Sequence, residues 1–177
     1  MKPKFDHIGI VVKNMEKTLE LLSKLFEVEL PPSSSPLSKI YRVIDSPELS
    51  GGIRWAMIPT DGPDSTMIEP LEPKGKSWLL DFLKANGDMA ISEICFRVDD
   101  IEKFYDKVKK MGFTPVDGNG KPLVDKKYFL VTIPGVPAEI KCFYFNMPLK
   151  PNQGPAFEIL EYPDVSEEEL LELLKNI

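Results

Sequence analysis

Residues 4–12 are rich in β-forming residues, with apolar side chains at both parities. Ile8, Ile10 and Val12 share one parity, and Phe5, His7, Gly9 and Val11 share the other. A two-residue period predicts a strand, and apolar residues at both parities predict that both faces are covered. Asn14 is placed to cap a helix. Met15, Leu19, Leu22 and Phe26 then recur at spacings of three and four, which is one helical stripe. Residues 31–38, PPSSSPLS, form a loop by composition. Strands are predicted over 39–44, 51–58 and 65–71. Pro70 falls inside the last and predicts an edge strand or an irregular spot. Residues 76–86 read as a short helix closed by Gly87.

The same order then returns. A strand over 89–98 precedes a helix over 101–111, ended by Gly112. A short strand over 113–116 and a turn over 117–122 follow. β-branched and aromatic residues predict strands over 128–133 and 139–145, and a last strand covers 156–162. Ser166 caps a predicted terminal helix over 166–176, with Glu167, Glu168 and Glu169 in its first turn. The recurrence is visible residue by residue. Asp6-His7-Ile8-Gly9-Ile10 lies over Ser92-Glu93-Ile94-Cys95-Phe96, and Ile68-Glu69-Pro70-Leu71-Glu72-Pro73 over Phe157-Glu158-Ile159-Leu160-Glu161-Tyr162. The spacings agree, with 62 residues from His7 to Glu69 and 65 from Glu93 to Glu158. Each copy is a strand, a helix and three strands. The chain is therefore read as one α+β domain over 1–177, built of two repeats at about 4–87 and 88–163 plus the terminal helix.

Composition narrows the function classes. The net charge of −6, with no cluster of basic residues, argues against a nucleic-acid surface. No apolar run approaches the length of a membrane span, and no signal-peptide pattern opens the chain, so a cytoplasmic location is expected. Cys95 and Cys142 each sit in an apolar strand-like run and read as buried free thiols.

The candidate chemistry lies at the repeated positions. Parity puts His7 with Gly9 and Val11, Glu69 with Met67 and Leu71, and Glu158 with Ala156 and Leu160. A carboxylate in mid-strand is costly in a sealed apolar core, but not facing solvent or a cation. Convergence of His7, Glu69, Glu93 and Glu158 would give one nitrogen and three carboxylates. Glu72 and Glu161 also recur, at the opposite parity near strand ends, where exposure is expected. Tyr128, Tyr144 and Trp55 are expected to pack.

These motifs resemble the vicinal oxygen chelate superfamily, which includes glyoxalase I, methylmalonyl-CoA epimerase, extradiol dioxygenases and bleomycin-resistance proteins. The resemblance is carried by DHIGIVV at 6–12, IEPLEP at 68–73, SWLLDFLKANG at 77–87, FRVDDIEK at 96–103 and GPAFEILEYP at 154–163. It implies paired βαβββ modules around an open barrel-like cleft holding one divalent cation, with His7, Glu69, Glu93 and Glu158 as ligands. Glu93 stands where epimerases and glyoxalases of this kind usually have His. One imidazole and three carboxylates favour a harder ion, Mn²⁺ or Mg²⁺, with Zn²⁺, Co²⁺, Ni²⁺ and Fe²⁺ also open. A single histidine counts against iron dioxygenase chemistry.

The function implied is that of a lyase or isomerase. It would act on a small oxygenated acid or thioester and stabilise an enediolate, with Glu69 or Glu158 as the base. The epimerase-like catalytic carboxylate falls by position on Arg54, which cannot serve as a base and could instead hold a substrate carboxylate or phosphate. The alternative is a metal-free small-molecule-binding protein of the bleomycin-resistance kind. A homodimer is expected by the same resemblance.

Overall fold

A computed structural model describes residues 2–27, 43–47, 49, 51–60, 66–132, 139–147 and 154–163. The expected loop over 31–38 and the terminal helix over 166–176 lie outside the described residues. The first half runs β1 (Lys4–Val11), α1 (Met15–Phe26), β2 (Ile44–Ser46), β3 (Ile53–Trp55), β4 (Ile58–Pro59) and β5 (Met67–Pro73). Helix α2 (Trp78–Asn86) leads to the second half: β6 (Ala90–Arg97), α3 (Ile101–Lys110), β7 (Phe129–Thr132), β8 (Glu139–Phe145) and β9 (Ala156–Glu161). Among the described residues no helix is long and apolar enough to cross a membrane.

The strands form one sheet in the order β2-β3-β5-β1-β6-β9-β8-β7, with β4 beside β5. The order is a palindrome of the two halves. In each, the first strand runs parallel to the last, β1 with β5 and β6 with β9, and the two first strands meet antiparallel at the centre. The sheet curls into a half-barrel. Its convex face is covered by α1, packing Leu22 against Ile10, Val12 and Ile58, and by α3, packing Phe104 and Val108 against Phe143 and Ile159. On the other face α2 buries Leu79, Phe82 and Leu83 against Val11, Trp55 and Leu71. Asn14, Ser77 and Asp100 cap the three helices, each accepting a hydrogen bond from a backbone N–H three residues on.

Three local features differ from the sequence pattern. β5 is an interior strand, with β1 on one side and β3 and β4 on the other, so Pro70 marks the irregular spot rather than an edge. Proline has no N–H to donate, and the predicted strand over 51–58 breaks opposite it into β3 and β4, joined only by the long Ala56 N–H to Pro70 carbonyl contact of 3.4 Å. The predicted strand over 113–116 reduces to single bridges at Val116. Finally, β1 and β6 shift register twice, between Phe5 and Ile8 and between Gly9 and Ile10. The first shift sets Asp6 and His7 against Cys95 alone. It also turns Phe5 onto the convex face, edge-on to Phe96 at 5.9 Å, and not onto the face it was expected to share with His7.

Candidate metal centre

The four strands at the middle of the sheet, β5, β1, β6 and β9, each bring one ionisable side chain to the concave face. Gly9 is the Cα partner of Glu69 on one side and of Glu93 on the other, and Cys95, two residues past Glu93, is the partner of Glu158. As a result His7, Glu69, Glu93 and Glu158 place one ligand atom each within 4.8 Å of all the others, and all four are buried. Gly9 is what lets them close up. A Cβ built there would lie 2.2 Å from Cγ of Glu93 and 2.8 Å from its Oε1. The Glu93 side chain lies across the space that any other residue would fill.

His7 is 1% exposed. Its Nδ1 lies 2.9 Å from Oδ1 of Asp6, which also accepts a hydrogen bond from the Tyr162 hydroxyl at 3.2 Å. A carboxylate only accepts, so Nδ1 carries the proton and Nε2 faces the cluster. There Nε2 is 3.2 Å from Oε2 of Glu69 and 3.1 Å from Oε2 of Glu158. Neither approach has the alignment of a hydrogen bond, and both His7 Nε2 and Glu158 Oε2 are buried without a hydrogen-bond partner. The other oxygen of Glu158 is held fast, accepting from the Tyr144 hydroxyl at 2.7 Å and the Cys142 thiol at 3.3 Å.

The electrostatics follow from burial. Glu93 is pushed well above its ordinary value by desolvation first, then by the charges of Glu158 and Glu69 and by a hydrogen bond to Glu69. Burial pulls His7 down, but Cys95, Glu69 and the Asp6 hydrogen bond outweigh it and hold the ring well above its ordinary value. Burial also raises Glu158, but the His7 ring, Tyr144 and Cys142 prevail and depress it. Burial pushes up the thiols of Cys95 and Cys142, both free, and the hydroxyl of Tyr144, and Cys142 and Tyr144 are the two that donate to Glu158.

Two like charges less than 5 Å apart repel by about 3 to 4 kcal/mol at an effective dielectric of ~20. Three buried carboxylates therefore require added protons or a cation. Two protons, on Glu93 and on Nε2 of His7, would offset part of the charge, but the approach of Nε2 to Glu158 Oε2 at 3.1 Å would remain an ion pair without hydrogen-bond alignment. A divalent ion satisfies both orphaned atoms at once, so the donor set fits an oxygen-preferring cation with one nitrogen ligand.

Arg54 is not brought to this cluster. It lies beside α1 on the convex side. Its guanidinium reaches Glu16 at 2.6 Å, Glu72 at 3.0 Å and Asp45 at 3.5 Å. Trp55 and Ile53 take the concave side in its place. Glu72 and Glu161, expected to be exposed, are mostly buried structural groups. Glu72 binds Arg54 and Lys74, while Glu161 accepts the Ile101 N–H at the start of α3 and pairs with Lys141. The sequence reading missed Asp6, Tyr144 and Gly9. Of these, only a glycine in mid-strand was a visible signal.

The half-barrel opens on a cleft of about 450 Å³ between the two edge strands, lined by Ser46 and Leu49 on one side and by Phe129 and Val131 on the other, with Asp117 to Asn119 at its rim. The four ligand residues do not line this mouth. Phe129 links the two places, since its ring stacks on Tyr144 at 6.0 Å and Tyr144 bonds Glu158.

A two-fold-related sheet with an acidic and imidazole cluster at its centre defines a class of protein, and sequence comparison agrees. The model of the Glyoxalase/Bleomycin resistance protein/Dioxygenase superfamily matches residues 6–130, and the chain belongs to that superfamily. Among curated relatives, the mitochondrial methylmalonyl-CoA epimerase of Dictyostelium discoideum is 28% identical over 128 residues, 68% of either chain. The methylmalonyl-CoA epimerase of Mycobacterium tuberculosis superposes with a TM-score of 0.63 at 18% identity, over 90% of this chain and 88% of that one. A methylmalonyl-CoA epimerase in complex with methylmalonyl-CoA and NH4+ gives 0.66 at 19% identity, over 94% and 99%. These structures speak for the glyoxalase fold.

Proposed function

We propose that the protein is an isomerase or lyase of the glyoxalase and epimerase kind, acting on a small oxygenated acid or thioester. The observation that carries this reading is the pair of orphaned buried atoms, His7 Nε2 and Glu158 Oε2, facing Glu69 and Glu93 across less than 5 Å. His7, Glu69, Glu93 and Glu158 would hold one divalent ion. When bound, it supplies positive charge beside two vicinal substrate oxygens, where negative charge develops as a proton leaves the adjacent carbon. Glu69 is the better placed to take that proton. Glu158 is pinned at its far oxygen by Tyr144 and Cys142, whereas the partner of Glu69 is the movable proton of Glu93. Substrate would enter between the edge strands, with Phe129 and Tyr144 excluding water behind it. Arg54, engaged by three carboxylates, has no part in this proposal.

The epimerase relatives make methylmalonyl-CoA the first substrate to try, and small 2-hydroxy and 2-oxo acids the next. The test is deuterium exchange from solvent at the carbon beside the carbonyl. Exchange in the native protein and at least a hundredfold loss in Glu69→Gln support the reading, and full exchange in that variant contradicts it. A metal-free binding protein is the second reading, favoured by the raised values of His7 and Glu93, which let the cluster neutralise itself. It predicts no tight divalent binding and no exchange. The proposal also takes the chain as one domain of two repeats, in the cytoplasm, as a homodimer.

A further inference from the structure

In a regular strand neighbouring side chains point to opposite faces, so Asp6 and His7 should be unable to meet. They meet because β1 carries an extra residue opposite Cys95. Phe5 pairs with Phe96 and Ile8 with Ile94, leaving Asp6 and His7 to share one partner. Such bulges re-aim side chains at a local cost in sheet pairing. Here the result is a buried chain of hydrogen bonds from the Tyr162 hydroxyl to Asp6 Oδ1 at 3.2 Å, and from His7 Nδ1 to the same oxygen at 2.9 Å. The Tyr162 ring is fixed in turn beneath the Arg97 guanidinium at 5.6 Å. Asp6 is itself buried.

We propose that Asp6, braced by Tyr162, is a positioning residue that fixes His7 in its Nδ1–H tautomer and thereby presents Nε2 to the cluster. Without Asp6, a neutral imidazole loses the acceptor that holds its proton on Nδ1, and a proton on Nε2, 3.1 Å from Oε2 of Glu158 and 3.2 Å from Oε2 of Glu69, would remove the nitrogen ligand. The bulge thus selects the tautomer that can bind a cation over the one that cannot. This inference deepens the metal-centre reading, but its spectroscopic test does not depend on a metal.

His7 is the only histidine, so a two-dimensional ¹⁵N–¹H long-range correlation spectrum of the whole chain reports its tautomer without assignment. The spectrum is taken at a pH where the ring signals are those of the neutral form. Native protein should show the proton on Nδ1. Asp6→Asn should move it to Nε2 or give a mixture, and should weaken Mn²⁺ binding ten- to a hundredfold. Tyr162→Phe, which leaves Asp6 in place, should act in the same direction by a smaller factor, and it keeps the test open if Asp6→Asn does not fold. An Nε2–H ring in native protein, or an unchanged tautomer in both variants, overturns the inference. So does Mn²⁺ affinity within twofold of native in both. If native protein binds no Mn²⁺ or Zn²⁺, the metal-centre reading fails, and the tautomer result alone decides this inference.

Discussion

At the scale of single residues, the site depends on how four buried ionisable groups share one small volume. Gly9 sets the packing. Gly9→Ala would put a methyl group 2.2 Å from Cγ of Glu93, so Glu93 must move. We expect a loss of about 1 to 3 kcal/mol in thermal or denaturant unfolding, together with at least a tenfold drop in Mn²⁺ affinity by calorimetry. Protonation gives a second prediction. In ion-free protein Glu93 and His7 hold protons above their ordinary values of 4.5 and 6.5. Such groups stabilise fully below those values, and the contribution is lost as pH rises through the raised ones. Glu158, depressed from 4.5, behaves in the opposite sense, its contribution present above 4.5 and lost as pH falls through its lowered value. The melting temperature of ion-free protein should therefore fall on the alkaline side of neutrality. Cation binding should release protons from His7 and Glu93 and tighten as pH rises. Calorimetry in buffers of different ionisation enthalpy measures the count, and zero protons released would contradict the assignment.

At the scale of elements, the period of apolar residues placed the three described helices and most of the strands, but not the break of the strand over 51–58 or the reduction of that over 113–116 to single bridges. The α1 stripe and its Asn14 cap, and the α3 stripe capped by Asp100, fall where the pattern put them. The repeat made three of the four cluster residues legible by parity, and the fourth by its place opposite His7 in the second copy. What parity could not give is a change of register. The bulge at Asp6 and His7 depends on the partner strand and leaves no mark in β1 alone. Tyr144 was equally hidden, since only the β8–β9 register sets its hydroxyl against Glu158. Arg54 was misplaced for a plainer reason. Its own strand alternation, with Ile53 and Trp55 buried in the core, already sends it to the outer face, where the family pattern had suggested the cleft. Replacing Arg54 with leucine should lower the melting temperature, because the tie from α1 to β2, β3 and β5 is cut. Metal affinity and KM should stay within twofold of native. A tenfold rise in KM would restore Arg54 as a substrate anchor.

At the scale of the whole molecule, duplication turns two weak half-sites into one centre. Each half supplies a first strand and a last strand that run parallel, and the antiparallel seam between the two first strands brings both pairs to a common axis. The cluster therefore ties the halves together, and a bound ion should stabilise the entire sheet. At a hundredfold excess over Kd the gain is about 2.7 kcal/mol. For a chain of this size that is a rise of roughly 5 to 10 °C in Tm. The most direct measurement is Mn²⁺ titration of protein stripped of metal, followed by calorimetry and electron paramagnetic resonance, on native chain, His7→Ala and Glu158→Gln. One tightly held ion per native chain, lost in both variants while their folds persist, is the predicted result. Absence of binding in native protein, or undiminished binding in the two variants, would contradict it.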